Sequence, residues 1–138
     1  MYDGTNKDAL TSEHLASLPN ILNIYGFCGM SSLYDFATHG DIRRLMDRHI
    51  INGRMDKLLV ATQVAKGVTV LHGVGDNDVN GRSSAITHAD IKPSQYVLVG
   101  YELKLNDFNL SELIQKNKKN GCCLSLLPEA QVKSELTH

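Results

Sequence analysis

The chain has 138 residues, 42% hydrophobic and 21% charged, with a net charge of −1. These values fit one globular domain or a piece of one, and no basic field calls for nucleic acid or an anionic membrane as partner. No apolar run nears the roughly 20 residues that cross a bilayer, and no basic start followed by an apolar stretch marks a secretory signal. Tryptophan is absent, which leaves little for base stacking. Cys28 and the adjacent pair Cys122-Cys123 form neither a disulfide framework nor a zinc spacing, so reduced thiols in an intracellular, cytoplasmic protein are expected.

Taken in chain order, Asp8 to Ser17 is a predicted short helix with Leu10, His14, Leu15 and Leu18 on one stripe, ended by Pro19-Asn20. Ile21 to Cys28 and Ser31 to Phe36 are predicted strands of a hairpin turning at Gly29. Asp41 is a candidate N-cap for a helix to about His49, with Ile42, Leu45 and Met46 on its apolar side. Asn52-Gly53 signals a turn. The clearest helix then runs from Met55 to about His72, with Leu58, Ala61, Ala65, Val68 and Leu71 as its buried face and Gly67 as a point of close packing. Gly73 to Ser84 reads as an exposed loop. Tyr96–Val99 and Tyr101–Leu105 read as two short strands around Gly100. Beyond Asn109 the pattern is lost. Lys116, Lys118 and Lys119 make a short basic cluster expected in a solvated loop, and the tail to His138 has weak helical character.

Thr87-His88-Ala89-Asp90-Ile91-Lys92-Pro93-Ser94-Gln95 and, 17 residues after Asp90, Asp107-Phe108-Asn109 carry the chemistry. They resemble the H-R-D-L-K-P-x-N catalytic loop and the D-F-G triplet of eukaryotic protein kinases. The order of other segments agrees. Leu18-Pro19-Asn20-Ile21-Leu22-Asn23-Ile24-Tyr25-Gly26 is similar to the stretch opening that family's fourth strand. Leu33 to Ile42 is similar to the fifth strand, the hinge and the entry to the next helix, and Ala61 to His72 to the long helix before the catalytic loop. The likeness covers roughly residues 8–110.

The resemblance implies ATP and Mg2+ as cofactors, a protein substrate, and the following roles. Asp90 would accept the proton of an attacking serine or threonine hydroxyl, and Lys92 would contact the γ-phosphate. Asp107 would bind the first metal ion. Gln95 stands where the family has a metal-binding asparagine, and its extra methylene moves the amide oxygen by about an ångström, against the strict geometry of Mg2+. The Asp35 carbonyl and the Ala37 amide would meet adenine, Asp41 would reach ribose, and Tyr34 would lie behind the adenine. His88 would orient the loop. Ala89 replaces the arginine that normally pairs with a phosphorylated activation loop, which argues against that mode of control. Asn109 replaces a glycine and suits a left-handed backbone better than most residues.

The sequence contains no G-x-G-x-x-G and no V-A-I-K strand. Asp8 is nearer than Glu13 to the spacing of the family's helix acid, and Leu127-Pro128-Glu129 is a faint echo of A-P-E. The expected architecture is α+β, a partial protein kinase-like fold truncated at both ends. Residues 1–34 would be an N-lobe remnant, and 35–138 the hinge and an incomplete helical lobe with the catalytic loop. Such a cut domain is expected to expose apolar surface. The expected function is ATP-dependent phosphoryl transfer to Ser/Thr in the complete form. The rivals are a pseudokinase or interaction module, and a small-molecule phosphotransferase of the aminoglycoside type, against which Lys92 and the hinge-like stretch speak.

Overall fold

The computed structural model describes residues 4–74, 82–117 and 123–125. Helix α1 (Gly4–His14) is followed by strands β1 (Ile24–Cys28) and β2 (Ser31–Tyr34), helices α2 (Ile42–Asp47) and α3 (Arg54–Gly73), and strand β3 (Arg82–Thr87). A 3-10 turn (Pro93–Gln95), strands β4 (Tyr96–Val99) and β5 (Glu102–Leu105), β6 (Glu112–Asn117) and β7 (Cys123–Ser125) complete the order. The class is α+β, as expected, and three helices with antiparallel hairpins are consistent with a partial kinase-like fold.

The β1–β2 and β4–β5 hairpins turn where glycine allows it. Gly29 (φ +58°) follows the closing pair Cys28 and Ser31 of β1–β2, and Gly100 (φ +60°) follows the pair Val99 and Glu102 of β4–β5. A positive φ at the first of two central residues matches the twist of the flanking strands. The first hairpin is shorter than predicted, because Ile21 pairs with Leu105 rather than with the second strand. Asp41 caps α2 as expected, its Oδ1 accepting the Arg44 N–H at 3.1 Å. At the start of α3 the Asp56 carboxylate accepts the N–H groups of Gly53 (2.9 Å) and Asn52 (3.3 Å), satisfying donors that the first helical turn leaves free.

The β4–β5 hairpin is the hub of the packing. Its backbone is tied to the 20–22 segment by Leu105 N–H to Asn20 O (2.8 Å) and Leu22 N–H to Leu105 O (2.9 Å). It meets α3 through the Leu103 N–H to Gln63 Oε1 (2.6 Å) and the Tyr96 hydroxyl to the Val64 carbonyl (3.1 Å). It meets the entry to α2 through the Leu98 N–H to Gly40 O (3.0 Å). Tyr96, Leu103, Leu105 and Phe108 join Leu15, Ile21, Ile42, Leu45, Leu71 and Ile86 in one buried cluster.

Three expectations are corrected. The buried face of α1 carries Ala9, Ser12 and Leu15, while Leu10 is half exposed. Asp8 bonds to Phe108 and Tyr34, and Thr11 lies against Ser111, which turns the helix away from the purely apolar stripe. The inward face of α3 is Val60, Gln63, Val64, Gly67 and Leu71 rather than the predicted one; only Leu71 is shared, and Leu58 is 60% exposed. The contact of Gly67 decides it, since a Cβ there would lie 3.3 Å from Tyr96 Cε1 and 3.4 Å from the Asn20 carbonyl oxygen. The helix is apolar on both sides, and Met55, Leu58 and Leu59 face outward. Finally, the pattern does not end at Asn109. β6 pairs with β3 over six residues and with β7 over three, so Arg82–Ser84 and Lys116 lie in strands rather than loops. Residues 75–81 of the expected loop, Lys118, Lys119, Cys122, Leu127-Pro128-Glu129 and the tail lie outside the described residues.

Candidate functional site

The register of β4–β5 builds the site. Tyr96 pairs with Leu105, and just outside the ladder the Asn106 N–H donates to Gln95 O at 2.8 Å. Gln95 and Asp107 are 12 residues apart in sequence, and this hairpin brings them side by side. The 3-10 turn closes the other end, with the Gln95 N–H on Lys92 O at 2.9 Å. Both acidic loops use left-handed backbone, at Ala89 (φ +63°) and at Asp107 (φ +67°). The expected position for that conformation, Asn109, does not adopt it; the turn comes two residues earlier. Aspartate tolerates this region well, whereas alanine is held there at a cost on the order of 1 kcal/mol.

Four of the seven expected site residues converge. Gln95 Nε2 donates to Asp90 Oδ2 at 2.8 Å and to Asp107 Oδ2 at 2.9 Å. Lys92 Nζ lies 2.5 Å from the same Asp90 oxygen. The Lys92 ammonium, and after it the Gln95 amide, hold the Asp90 carboxyl below its ordinary value. His88 joins the two loops. Its Nε2 faces the Asn106 carbonyl at 2.9 Å, which fixes the proton on that nitrogen, and its Nδ1 accepts the Asp90 N–H at 3.4 Å. The ring lies 5.1 Å from that of fully buried Phe108. The orienting role expected of His88 has this geometry behind it.

Asp35, Ala37 and Asp41 lie in the linker between β2 and α2, where Asp41 is bridged to Val97 of β4. The Asp35 carboxylate takes the Tyr25 hydroxyl (2.7 Å), Lys104 Nζ (2.9 Å) and the Asn23 N–H (3.4 Å), and the first of these does most to lower its pKa. The Ala37 carbonyl accepts the Gly40 N–H at 3.4 Å. Asp41 is engaged by Arg43 Nη2 at 2.8 Å, which lowers its pKa, besides capping α2. A shallow groove lined by Asn20, Leu59, Thr62, Gln63, Lys66, Tyr101 and Glu102 contains none of the seven.

Asp8, the nearer of the two candidates for the family's helix acid, has partners at the site that its sequence position did not name. One of its oxygens accepts the Phe108 N–H at 2.6 Å and the other the Tyr34 hydroxyl at 2.8 Å, so α1 clamps the turn that carries Asp107. Burial is the main reason that the Tyr34 phenol is raised above its usual value. Thr11 Oγ1 and Ser111 Oγ, 3.4 Å apart, extend the clamp. The sequence signals for it were the helix-acid spacing of Asp8 and the helical spacing of Asp8 and Thr11, neither of which names these partners.

As a donor set for a cation, the pair Asp90 and Asp107 supplies two hard oxygen ligands. That suits Mg2+, which takes one or two carboxylates and completes its shell with phosphate and water. Among the described residues, no group of three or more His, Cys, Asp or Glu side chains could cage a metal without such help. Gln95 presents nitrogen, not oxygen, to the centre.

The class defined by this fold and site is an α+β domain with two loop carboxylates gathered on one amide. No family model matches the chain. It is 30% identical over 105 residues to the G-type lectin S-receptor-like serine/threonine-protein kinase LECRK1 of Oryza sativa subsp. japonica, and equally to that of subsp. indica. The match takes in 72% of this chain, which spans 12% of the length of those curated relatives.

Proposed function

We propose that this chain is part of a protein kinase-like domain that, in its complete form, transfers the γ-phosphate of ATP to serine or threonine hydroxyls of proteins. The observation that carries the reading is the convergence of Asp90 and Asp107 on the single nitrogen of Gln95. The similarity to two receptor-like serine/threonine kinases supports it. In this reading Asp107 and Asp90 face a bound Mg2+, whose contribution when present is to neutralise charge on the nucleotide phosphates. Lys92 offers a cation to the transferred phosphate, and Asp90 orients the hydroxyl. The linker residues Asp35, Ala37 and Asp41 hold the nucleoside, at the junction of an N-lobe remnant, 1–34, with the hinge and partial C-lobe, 35–138.

The experiment is a titration of the full chain with Mg-ATP, followed by calorimetry, beside Asp107→Asn. Saturable binding that Asp107→Asn weakens at least about tenfold supports the reading. Absence of saturable binding favours a pseudokinase or interaction module instead.

A further inference from the structure

We propose that the outward face of α3 is the docking surface for a second copy of this chain, the two helices packing antiparallel about a two-fold axis. The inference stands apart from the phosphoryl-transfer reading and uses none of that site's residues.

The face is apolar and regular. With Val60, Val64, Gly67 and Leu71 turned inward, the opposite side of the helix presents Met55, Leu58, Thr62, Ala65 and Thr69, all of them exposed. Their spacings alternate between three and four residues, the repeat with which one helix seats another. Met55 is 75% exposed, and Leu58 and Ala65 belong to the apolar stripe that the sequence pattern marks for burial. Covering this face strands no hydroxyl. Thr62 Oγ1 donates to Leu58 O and Thr69 Oγ1 to Ala65 O, each at 2.9 Å, so both are satisfied inside the helix.

Three observations commit the face to a second copy. The first is shape. The large side chains, Met55 and Leu58, lie in the first half of the stripe and the small ones, Ala65 and Thr69, in the second. An antiparallel pair sets large on small at both ends, whereas a parallel pair sets large on large and leaves gaps between the small ones. The second is charge. Leu59 and Lys66 flank the stripe on the side of the β4–β5 turn, where Tyr101 and Glu102 line the same shallow groove. Among the described residues neither Lys66 nor Glu102 forms an ion pair. Reversing the helix direction brings Lys66 of one copy beside Leu59 of the other, and so toward that copy's Glu102. The two-fold axis makes this pairing twice. The third is area. A helix of 20 residues is about 30 Å long and 10–12 Å across, and with Tyr101, 98% exposed, alongside each helix the pair buries on the order of 1,200 Å2, enough for a specific interface.

Sedimentation equilibrium of the full chain, up to about 200 μM, tests this. We expect a monomer–dimer equilibrium with a dissociation constant of about 1–100 μM. Leu58→Glu and Thr62→Glu each place like charges across the axis and should weaken it at least about thirtyfold. Both positions are exposed, so thermal midpoints of the dilute monomers should stay within about 2 °C of wild type. Lys66→Glu and Glu102→Lys should each weaken association about threefold or more, and the double reversal should restore it to within about twofold. Met30→Glu, at an exposed apolar residue on the β1–β2 turn, should leave it unchanged.

A wild-type chain that remains monomeric throughout overturns the proposal. So do dimers that survive both Leu58→Glu and Thr62→Glu, or that Met30→Glu disrupts as strongly. Loss in the single charge reversals without recovery in the double overturns the antiparallel arrangement, as do single reversals with no effect.

Discussion

Phe108 offers the sharpest test of how the site is supported. It is fully buried, its ring stacks at a tilt against His88, and its backbone carries the Asp8 bond and accepts the Ser111 hydroxyl at 2.6 Å. Phe108→Ala removes the ring and leaves a cavity among Leu15, Leu105 and their neighbours, a change that costs about 3–5 kcal/mol. Phe108→Leu keeps most of the volume and loses mainly the aromatic contact, which accounts for about 0.5–1.5 kcal/mol, plus imperfect fit. Domains of this size are stable by about 5–15 kcal/mol, so the alanine variant sits near the edge of folding, with a midpoint lower by about 10–20 °C. Phe36 is the internal control. It also follows an aspartate but is 82% exposed, and Phe36→Ala should stay within about 0.5 kcal/mol of wild type. Urea denaturation followed by circular dichroism measures all three. If Phe108→Ala loses less than about 1 kcal/mol, or matches Phe36→Ala, the core does not close on this ring and the account of the site's support is wrong.

Two further outcomes follow from the packing. Asp35 is held below its usual pKa by Tyr25, Lys104 and Asn23, so its folded value lies below its unfolded one. The stability it contributes is whole above about pH 4 and is lost as pH falls through the folded value; Asp35→Asn should lower stability by about 1–2 kcal/mol at pH 7 and converge with wild type toward pH 2 in urea titrations. A gap that is constant with pH would remove the ion pair from the explanation. At Gly67, alanine should be nearly neutral, because a helix-propensity gain of about 1 kcal/mol offsets the tight contact with Tyr96. Leucine there has no space and should cost at least about 3 kcal/mol in the same assay, so an unperturbed Gly67→Leu midpoint would contradict the close approach of α3 to β4–β5.

How much of this could be read beforehand differs from one element to the next. The β4–β5 hairpin was legible because Gly100 sits between two short β-forming runs, and with it came the meeting of Gln95 and Asp107. The limits of α3 were legible too, within one residue at each end. Its inward face was not: Leu58, Leu59, Val60, Val64, Ala65 and Val68 line the helix nearly all round, so periodicity alone chooses no side, and the choice falls to Gly67 against Tyr96. β6 escaped notice because Glu112–Asn117 holds a single β-branched residue, and its partner β3 lies across a long stretch of chain. The Asp8 bonds escaped for a similar reason. One partner is 26 residues away and the other 100, and no local pattern announces either.

That last separation has a bearing on how the protein is made. The turn that the Asp8 helix grips emerges from the ribosome a hundred residues after the helix itself. Until then α1 has the Tyr34 hydroxyl as its partner, and the edge at Asn20–Leu22 lacks the Leu105 backbone it bonds. Contacts that close such large loops form slowly and late. The nascent chain therefore carries α1 only partly docked until that turn has been made, a stage at which chaperone binding and the speed of translation bear directly on yield.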